Sequence, residues 1–501
     1  MTEQATHQDT NASPSLDPKT PAEWADIRAQ GHQMLDDLFD SLQNIRQRPV
    51  WQPAPDEVSA HFAGDIDSGE KSLQTAYQEF QENIQPYTVG NVHPGFMGWV
   101  HGGGTVVGML AEMLTGGLNV NAGGRNQIPV QVERQIVRWV RDMAGFPTSA
   151  SGVLVTGSSM ANFIALLVAK IDHTNRLGKN SRQQGLAGES QLVAYTSASA
   201  HGCIAQAMEL AGIGSQWLRR IATNAAYEMD VAQLAERIAA DRAAGLTPFF
   251  IAGTAGTVDT GAIDNLSALA DLATQENLWF HVDGAFGSMA KLSPTLAPRL
   301  RGLERADSLA LDFHKWGQVP YDAGFALIRE ESKHLATFAA PAAYLRREES
   351  GLAGGSPWPC DFGPDLSRNF RALKVWFTLQ TYGSDRLGLV IENTCRLAQY
   401  LGAKIEANPA LQLMAPVSLN IVCFRHIGAG KMPNEQLDQL NNALLIKLQL
   451  SGIAAPSSTT LDGCFVLRAA IVNHRTEQRD IDALFEAVCQ LGESITYISS
   501  L

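Results

Sequence analysis

The sequence predicts an α/β fold built on a largely parallel sheet, and three observations carry that expectation. Between about residues 105 and 385, helical periods alternate with short apolar runs bounded by Gly, Asp or Ser, the pattern of strands covered by helices. Of the 501 residues 45% are apolar and 18% charged, with 44 Gly against 22 Pro, which excludes a disordered, collagenous or coiled-coil chain. The length itself allows roughly two to four domains and ample core.

Taken in order, residues 1 to 20 are rich in Thr, Ser, Asn, Gln and Pro and are expected to form a loose tail. They show no basic start followed by an apolar run, so neither a signal nor a transit peptide is expected. From Pro21 to about Gln47, Trp24, Ile27, Met34, Leu35, Leu38 and Leu42 recur at helical spacings and predict an amphipathic helix that needs something to pack on. A polar helix is expected around Glu70 to Asn83, which makes 21–104 an N-terminal helical segment. The large domain is expected over 105–383, with strands at Leu192–Thr196, Phe249–Thr254, Leu278–Asp283, Ser308–Leu311 and Gly324–Arg329. Helices are expected at Thr105–Leu114, Gln131–Ala144, Ala161–Ile171, Val231–Ala244 and Leu266–Gln275. From 384 to 501, a helix to about Ala407, apolar runs at Leu419–Phe424 and Phe465–Val472 and a helix near Asn434–Leu448 suggest a small C-terminal α/β domain.

Charge narrows the function. With 38 Lys and Arg against 51 Asp and Glu, the formal net charge is −13, a field that repels phosphate backbones and anionic lipid. Nucleic acid and membrane are therefore poor partners, and no run reaches the 18 or so apolar residues of a membrane span. Cys203, Cys360, Cys395, Cys423, Cys464 and Cys489 contain no C-x-x-C pair and read as reduced thiols of a cytoplasmic protein.

Four elements carry chemistry. Asp312-Phe313-His314-Lys315-Trp316 ends an apolar strand, where desolvation would make a lysine available as a free amine for an imine; a lone lysine there could equally snorkel to solvent. His281-Val282-Asp283-Gly284-Ala285 lies about one strand-crossover-strand unit upstream. In a parallel sheet both strands would present their carboxyl ends to one crevice. Asp283 could hold a protonated pyridine nitrogen there, or simply cap a helix. Thr156-Gly157-Ser158-Ser159-Met160-Ala161-Asn162 follows an apolar run and opens a helix; its free N–H groups and hydroxyls suit a phosphate, or ordinary N-capping. Ser199-Ala200-His201-Gly202 places an imidazole that could lie on a planar cofactor and move a proton, or sit on the surface.

In this order, the four elements resemble the pyridoxal-phosphate-dependent group II amino-acid decarboxylases, the family of aromatic-L-amino-acid, histidine and glutamate decarboxylases. His93-Pro94-Gly95-Phe96-Met97-Gly98 and the run Arg368-Asn369-Phe370-Arg371-Ala372-Leu373-Lys374-Val375-Trp376-Phe377 extend the match over most of the chain. The resemblance implies the fold-type I architecture of pyridoxal-phosphate transferases, with a homodimer whose active sites lie at the subunit interface and whose N-terminal helices wrap the partner. It implies pyridoxal 5'-phosphate held as an internal aldimine on Lys315, Asp283 at the pyridine nitrogen, Ala285 and His201 on the two ring faces, and Thr254 near the ring substituents. Ser158 and Ser159 would hold the phosphate with help from His314, and the catalytic set would be Lys315, His201 and Asp283. The reaction implied is α-decarboxylation of an L-amino acid to an amine and carbon dioxide.

One departure concerns the mobile loop that carries a protonating tyrosine in the family. Counting back from Arg371 puts its counterpart near Pro359, and no tyrosine lies between Tyr344 and Tyr382. Proton delivery from His201, or an oxygen-dependent release of aldehyde, are the alternatives. For the substrate, Trp99 falls where the family lines its pocket with an aromatic, whereas Asn119 to Arg125 is small and polar. Arg125 or Arg468 could accept a carboxylate, or form structural ion pairs. Other classes lack their signatures. His101-Gly102-Gly103-Gly104 resembles an esterase oxyanion element, but there is no G-x-S-x-G elbow, no P-loop or dinucleotide fingerprint, and no H-E-x-x-H for zinc. A non-catalytic binding protein on the same scaffold would have to keep Lys315, Asp283, His201 and the phosphate seat without use.

Overall fold

The computed structural model describes residues 15–66, 68–186, 191–339, 348–428 and 432–499. The first fourteen residues of the expected tail, and Tyr344, lie outside the described residues. The chain forms two compact units, one of residues up to 48 with 52–89 and one of 49–51 with 90–501.

In the first unit, helix Pro21–Gln43 starts at a capping box: Glu23 N–H donates to Thr20 Oγ1 and the Thr20 N–H to Glu23 Oε2, with Pro21 in the first turn. Helix Leu73–Glu79 lies beside it, and Tyr77 Oη donates to Asp37 Oδ2 at 2.7 Å. None of this unit's helices buries a residue within the chain, and Trp24 and Ile27 are exposed.

In the second unit, the strands are β1 (Phe96–Met97), β2 (Ser151–Val155), β3 (Leu192–Ser197), β4 (Leu218–Ile221), β5 (Thr247–Thr254), β6 (Trp279–Asp283), β7 (Ser308–Asp312), β8 (Gly324–Ile328), β9 (Leu411–Leu413), β10 (Ile421–His426), β11 (Ala455–Leu461) and β12 (Cys464–Ala470). The main sheet runs β2-β8-β7-β6-β5-β3-β4; β8 alone is antiparallel to its neighbours, so the sheet is largely parallel as the sequence predicts. Apart from the edge strand β4, its strands are buried on both faces. Ile251, Val282, Leu309 and Leu311 enter one core with Ile136 and Val140, while Phe250, Ala252, Ala310 and Ala326 enter another with Ile164 and Val168. That period of two along near-continuous apolar runs is what a helix-covered parallel sheet requires.

The five-stranded sheet, β1-β11-β12-β10-β9, takes its edge strand from Phe96–Met97, ahead of the expected large domain. Helices Asn434–Leu450 and Gln478–Ser499 cover it around Leu444, Leu467 and Leu484. Helix Arg371–Glu406 runs across the expected 383/384 boundary; Gly383, at φ 71° and ψ 162°, kinks it. A glycine in that region of φ interrupts helical geometry without ending the helix, so the boundary expected at 383/384 falls inside one long element.

Candidate active site

The carboxyl ends of the parallel strands converge by register. Thr254 on β5 pairs with Asp283 on β6, and Asp283 with Ala310 on β7, two residues before Asp312. A cavity of about 220 Å³ opens at that edge. Ser158, His201, Thr254, Asp283, Ala285 and Lys315 line it, together with Trp99, His101, Cys203 and Phe286. Six of the residues expected around a cofactor therefore share one space. Larger grooves beside Trp139 (320 Å³) and Arg219 (480 Å³) contain neither a lysine nor a histidine.

Asp283 is buried at the strand end. Its Oδ1 accepts the Ala285 N–H at 3.1 Å and its Oδ2 the Asn162 Nδ2–H at 3.2 Å. Burial raises the carboxyl above its ordinary range, opposed by the charge of Lys315, so the site favours a further cation beside it. A protonated ring nitrogen is such a cation.

Lys315 follows β7 in the turn. The sequence reading set it against apolar groups and a histidine; the structure pairs its Nζ with Asp312 Oδ2 at 2.8 Å. The other oxygen of Asp312, Oδ1, accepts the N–H of Ser158 at 2.6 Å. One buried carboxylate thus ties the lysine to the first turn of helix Ser158–Arg176. Asp312 was legible as part of the motif but not as this link, because its two partners are 3 and 154 residues away in sequence.

The helix starts at Gly157, which supplies no side-chain cap, and both Met160 and Ala161 donate back to the Gly157 carbonyl. Ser158 lines the cavity, whereas Ser159 is exposed and outside its lining. Gly324 on β8 lies against this turn: a Cβ built there would fall 2.4 Å from Gly157 Cα. His314 Nδ1 accepts the Ala323 N–H at 2.9 Å, and its ring packs on Tyr321 at 4.3 Å between centroids. Burial lowers His314 to about 4, so the imidazole is neutral.

His201 Nδ1 accepts the Cys203 N–H at 3.1 Å, which assigns the proton of a neutral ring to Nε2. Thr254 is held by its N–H to Asp264 Oδ2 at 2.7 Å. Of the substrate candidates, Trp99 lines the cavity with φ 46°, stacked at 5.7 Å on His101. Arg125 is outside the lining, its guanidinium 4.9 Å from the Trp358 ring centroid. Arg468 is buried beneath the cavity wall, donating to the carbonyls of Trp99 and Asp259 and to Ser457 Oγ; its Nη2 has no partner among the described residues. The segment aligned with the family's tyrosine is a short 3-10 turn, Pro359–Asp361, with Trp358, Pro359 and Asp361 buried.

Buried carboxyl, lysine, imidazole and helix terminus are the complement of a phosphorylated pyridine aldehyde, so the residues present fit pyridoxal phosphate. Residues 55–427 match the model of the pyridoxal-dependent decarboxylase conserved domain. The chain is 30% identical to the aromatic-L-amino-acid decarboxylase of Bacillus atrophaeus over 94% of its own length and 96% of that protein's. It is 26% identical to the phenylacetaldehyde synthase of Arabidopsis thaliana over 93% and 96% of the two chains. The crystal structure of Oryza sativa TDC with PLP and tryptamine superposes with a TM-score of 0.86 at 24% identity, covering 95% of this chain and all of that one, which matches the fold.

Proposed function

Because the chain belongs to the pyridoxal-dependent decarboxylase family and is a pyridoxal-phosphate-dependent carboxy-lyase, we propose how its own residues carry out the decarboxylation of an L-amino acid. The observation that carries the reading is that Lys315 and Asp283 line the same cavity from adjacent strand ends. When bound, pyridoxal phosphate supplies an electron-withdrawing ring that takes up the electron pair left on the α-carbon as carbon dioxide departs.

Lys315 is the residue that holds the cofactor covalently and yields it to the substrate amine. Asp283 keeps the ring nitrogen protonated through a charge-assisted hydrogen bond, which is how the ring retains its electron demand. Ser158, with the helix terminus behind it, holds the phosphate, whereas Ser159, exposed and outside the lining, does not reach it; His314 lies against the turn at Gly157. His201 and Ala285 bracket the ring, Thr254 meets a ring substituent, and the Nε2–H of His201 is the proton source inside the cavity. For the substrate we favour a planar side chain against Trp99, supported by the aromatic decarboxylase among the relatives. Arg468 lies behind Trp99 and outside the lining, so it shapes the cavity wall through the Trp99 carbonyl.

A homodimer is supported by the first unit, whose helices expose Trp24 and Ile27 and bury no residue within their own chain. A cytoplasmic location is supported by Cys203, Cys395, Cys423, Cys464 and Cys489, none of which forms a disulfide. No helix among the described residues is long and apolar enough to cross a membrane.

One observation favours a second outcome, aldehyde release with dioxygen consumed and ammonia and hydrogen peroxide formed. The segment at Pro359 offers buried Trp358 and Asp361 in place of a tyrosine, and a phenylacetaldehyde synthase is among the relatives. The test is to incubate the holoenzyme with each of the twenty amino acids and assay carbon dioxide, amine, aldehyde and peroxide. Amine without peroxide is the expected result; aldehyde with peroxide establishes the second outcome. Lys315→Ala must abolish both turnover and the visible absorption band, and a variant that keeps both refutes the assignment.

A further inference from the structure

Behind Asp283 lies a row of buried polar side chains that none of the roles above uses. Trp279, His281 and Asp283 alternate along β6 and so share one face, and the register of β6 with β7 sets Ser308 beside His281. Helix Ser158–Arg176 lays Asn162 over that face. Trp279 Nε1 is 2.8 Å from Ser308 Oγ, Ser308 Oγ 2.8 Å from His281 Nδ1, and His281 Nε2 2.6 Å from Asn162 Oδ1. Asn162 Nδ2 then reaches Asp283 Oδ2 at 3.2 Å and Cys203 Sγ at 3.1 Å. All five side chains from Trp279 to Asp283 in this row are buried.

The direction of every bond follows from one group. An ionised carboxylate can only accept, so Asn162 turns its NH2 to Asp283 Oδ2 and its oxygen to His281 Nε2. A neutral ring donating there accepts at Nδ1 from Ser308 Oγ, which takes the indole N–H on its other lone pair. Burial lowers His281 to about 3, which keeps the ring in this neutral, single-tautomer form across working pH. Every donor in the row is matched by an acceptor, the condition under which a buried polar network specifies one arrangement.

We propose that Asn162 and His281 are positioning residues that fix Asp283 as the anionic partner of the cofactor's ring nitrogen. Asn162 does so directly, by donating to Oδ2; His281 acts through Asn162, by holding the amide the right way round. The inference rests on the assignment of Asp283 to the ring nitrogen. The other charged or titratable groups facing Asp283 are Lys315 and Asp312 from the end of β7 and its turn, and His201 and Cys203 from the segment after β3.

The test compares the pH titration of the visible band, and the dissociation constant of pyridoxal phosphate measured by that band, in four holoenzymes: wild type, Asp283→Ala, Asn162→Ala and the double variant. Asp283→Ala displaces the titration midpoint; Asn162→Ala is expected to displace it in the same direction by at least half a pH unit, with cofactor affinity about tenfold weaker. In the double variant the second change should add nothing. If Asp283→Ala itself leaves the midpoint where it was, the ring-nitrogen assignment falls and this inference with it. If Asp283→Ala moves the midpoint and Asn162→Ala does not, the row behind the carboxylate has no such role while the assignment stands. Should Asn162→Ala fail to fold, His281→Leu and His281→Gln make the same comparison. Leu should shift the midpoint and Gln, which can still donate to Asn162 Oδ1, should restore it; equal titrations in both overturn the proposal.

Discussion

Replacing Arg368 by Met isolates one interaction that secures β2 just ahead of the turn at Gly157. The Arg368 guanidinium donates from Nη1 and Nη2 to the two oxygens of Glu133, at 3.0 and 2.6 Å, and from Nη2 to the Leu154 carbonyl at 2.6 Å. Glu133 Oε1 also accepts the Leu154 N–H at 3.0 Å, so the pair grips β2 just before Gly157, and both side chains are almost wholly buried. Met fills the volume of the stem but strands the Glu133 charge, which by analogy with other buried pairs costs about 3–5 kcal/mol. Unfolding entropy near 2.1 cal/mol/K per residue, over roughly four hundred residues, gives on the order of 0.9 kcal/mol/K, so Tm should fall by about 3–6 °C. Differential scanning calorimetry at a fixed scan rate measures this. The double variant Glu133→Leu/Arg368→Met removes the stranded charge and should recover most of the loss. An Arg368→Met protein that melts within 1 °C of wild type, or a double variant no better than the single, refutes the reasoning.

Two further expectations concern acid and the phosphate turn. His281 and His334 are lowered to about 3, and His314 and His474 to about 4, all chiefly by burial. For bases depressed in the folded state, stability is fully present above the unfolded value near 6.5 and is lost as pH falls below it, by up to about 1.4 kcal/mol per pH unit for each ring. Urea midpoints should therefore drop steeply between pH 6.5 and 4.5, and a flat profile would exclude four neutral buried imidazoles. Gly324→Ala should weaken pyridoxal phosphate binding at least tenfold while the secondary structure by circular dichroism stays intact, since the added methyl meets backbone at Gly157; unchanged affinity would mean that the turn yields freely.

The parts of the fold that were legible in the sequence are those where local pattern and tertiary burial agree. β3, β5, β6, β7 and β8 are apolar runs with clear stops and emerge within two residues of expectation. β4 carries Arg219 and Arg220 and lies at the sheet edge, where charge is tolerated, so no apolar run announces it. β11 reads Ala455-Pro456-Ser457-Ser458-Thr459-Thr460-Leu461, too polar to stand out before its pairing with β12 is known. Within the site, Lys315, Asp283 and Ser158 sit in dense local motifs. Asn162 looked like one more polar residue of a helix opening, and His281 like a strand residue; their roles depend on β6–β7 register and on helix packing, neither of which a linear pattern contains.

Asp312 serves two masters with one charge, the amine of Lys315 and the amide of Ser158, and this has a bearing on how variants at the site are interpreted. Remove the amine and the carboxylate loses its counter-ion while still leaning on the helix end proposed to receive the phosphate. A weaker grip on pyridoxal phosphate after Lys315→Ala would thus combine a missing covalent tether with new repulsion toward the neighbouring phosphate arm. Pairing that variant with Asp312→Asn separates the two contributions.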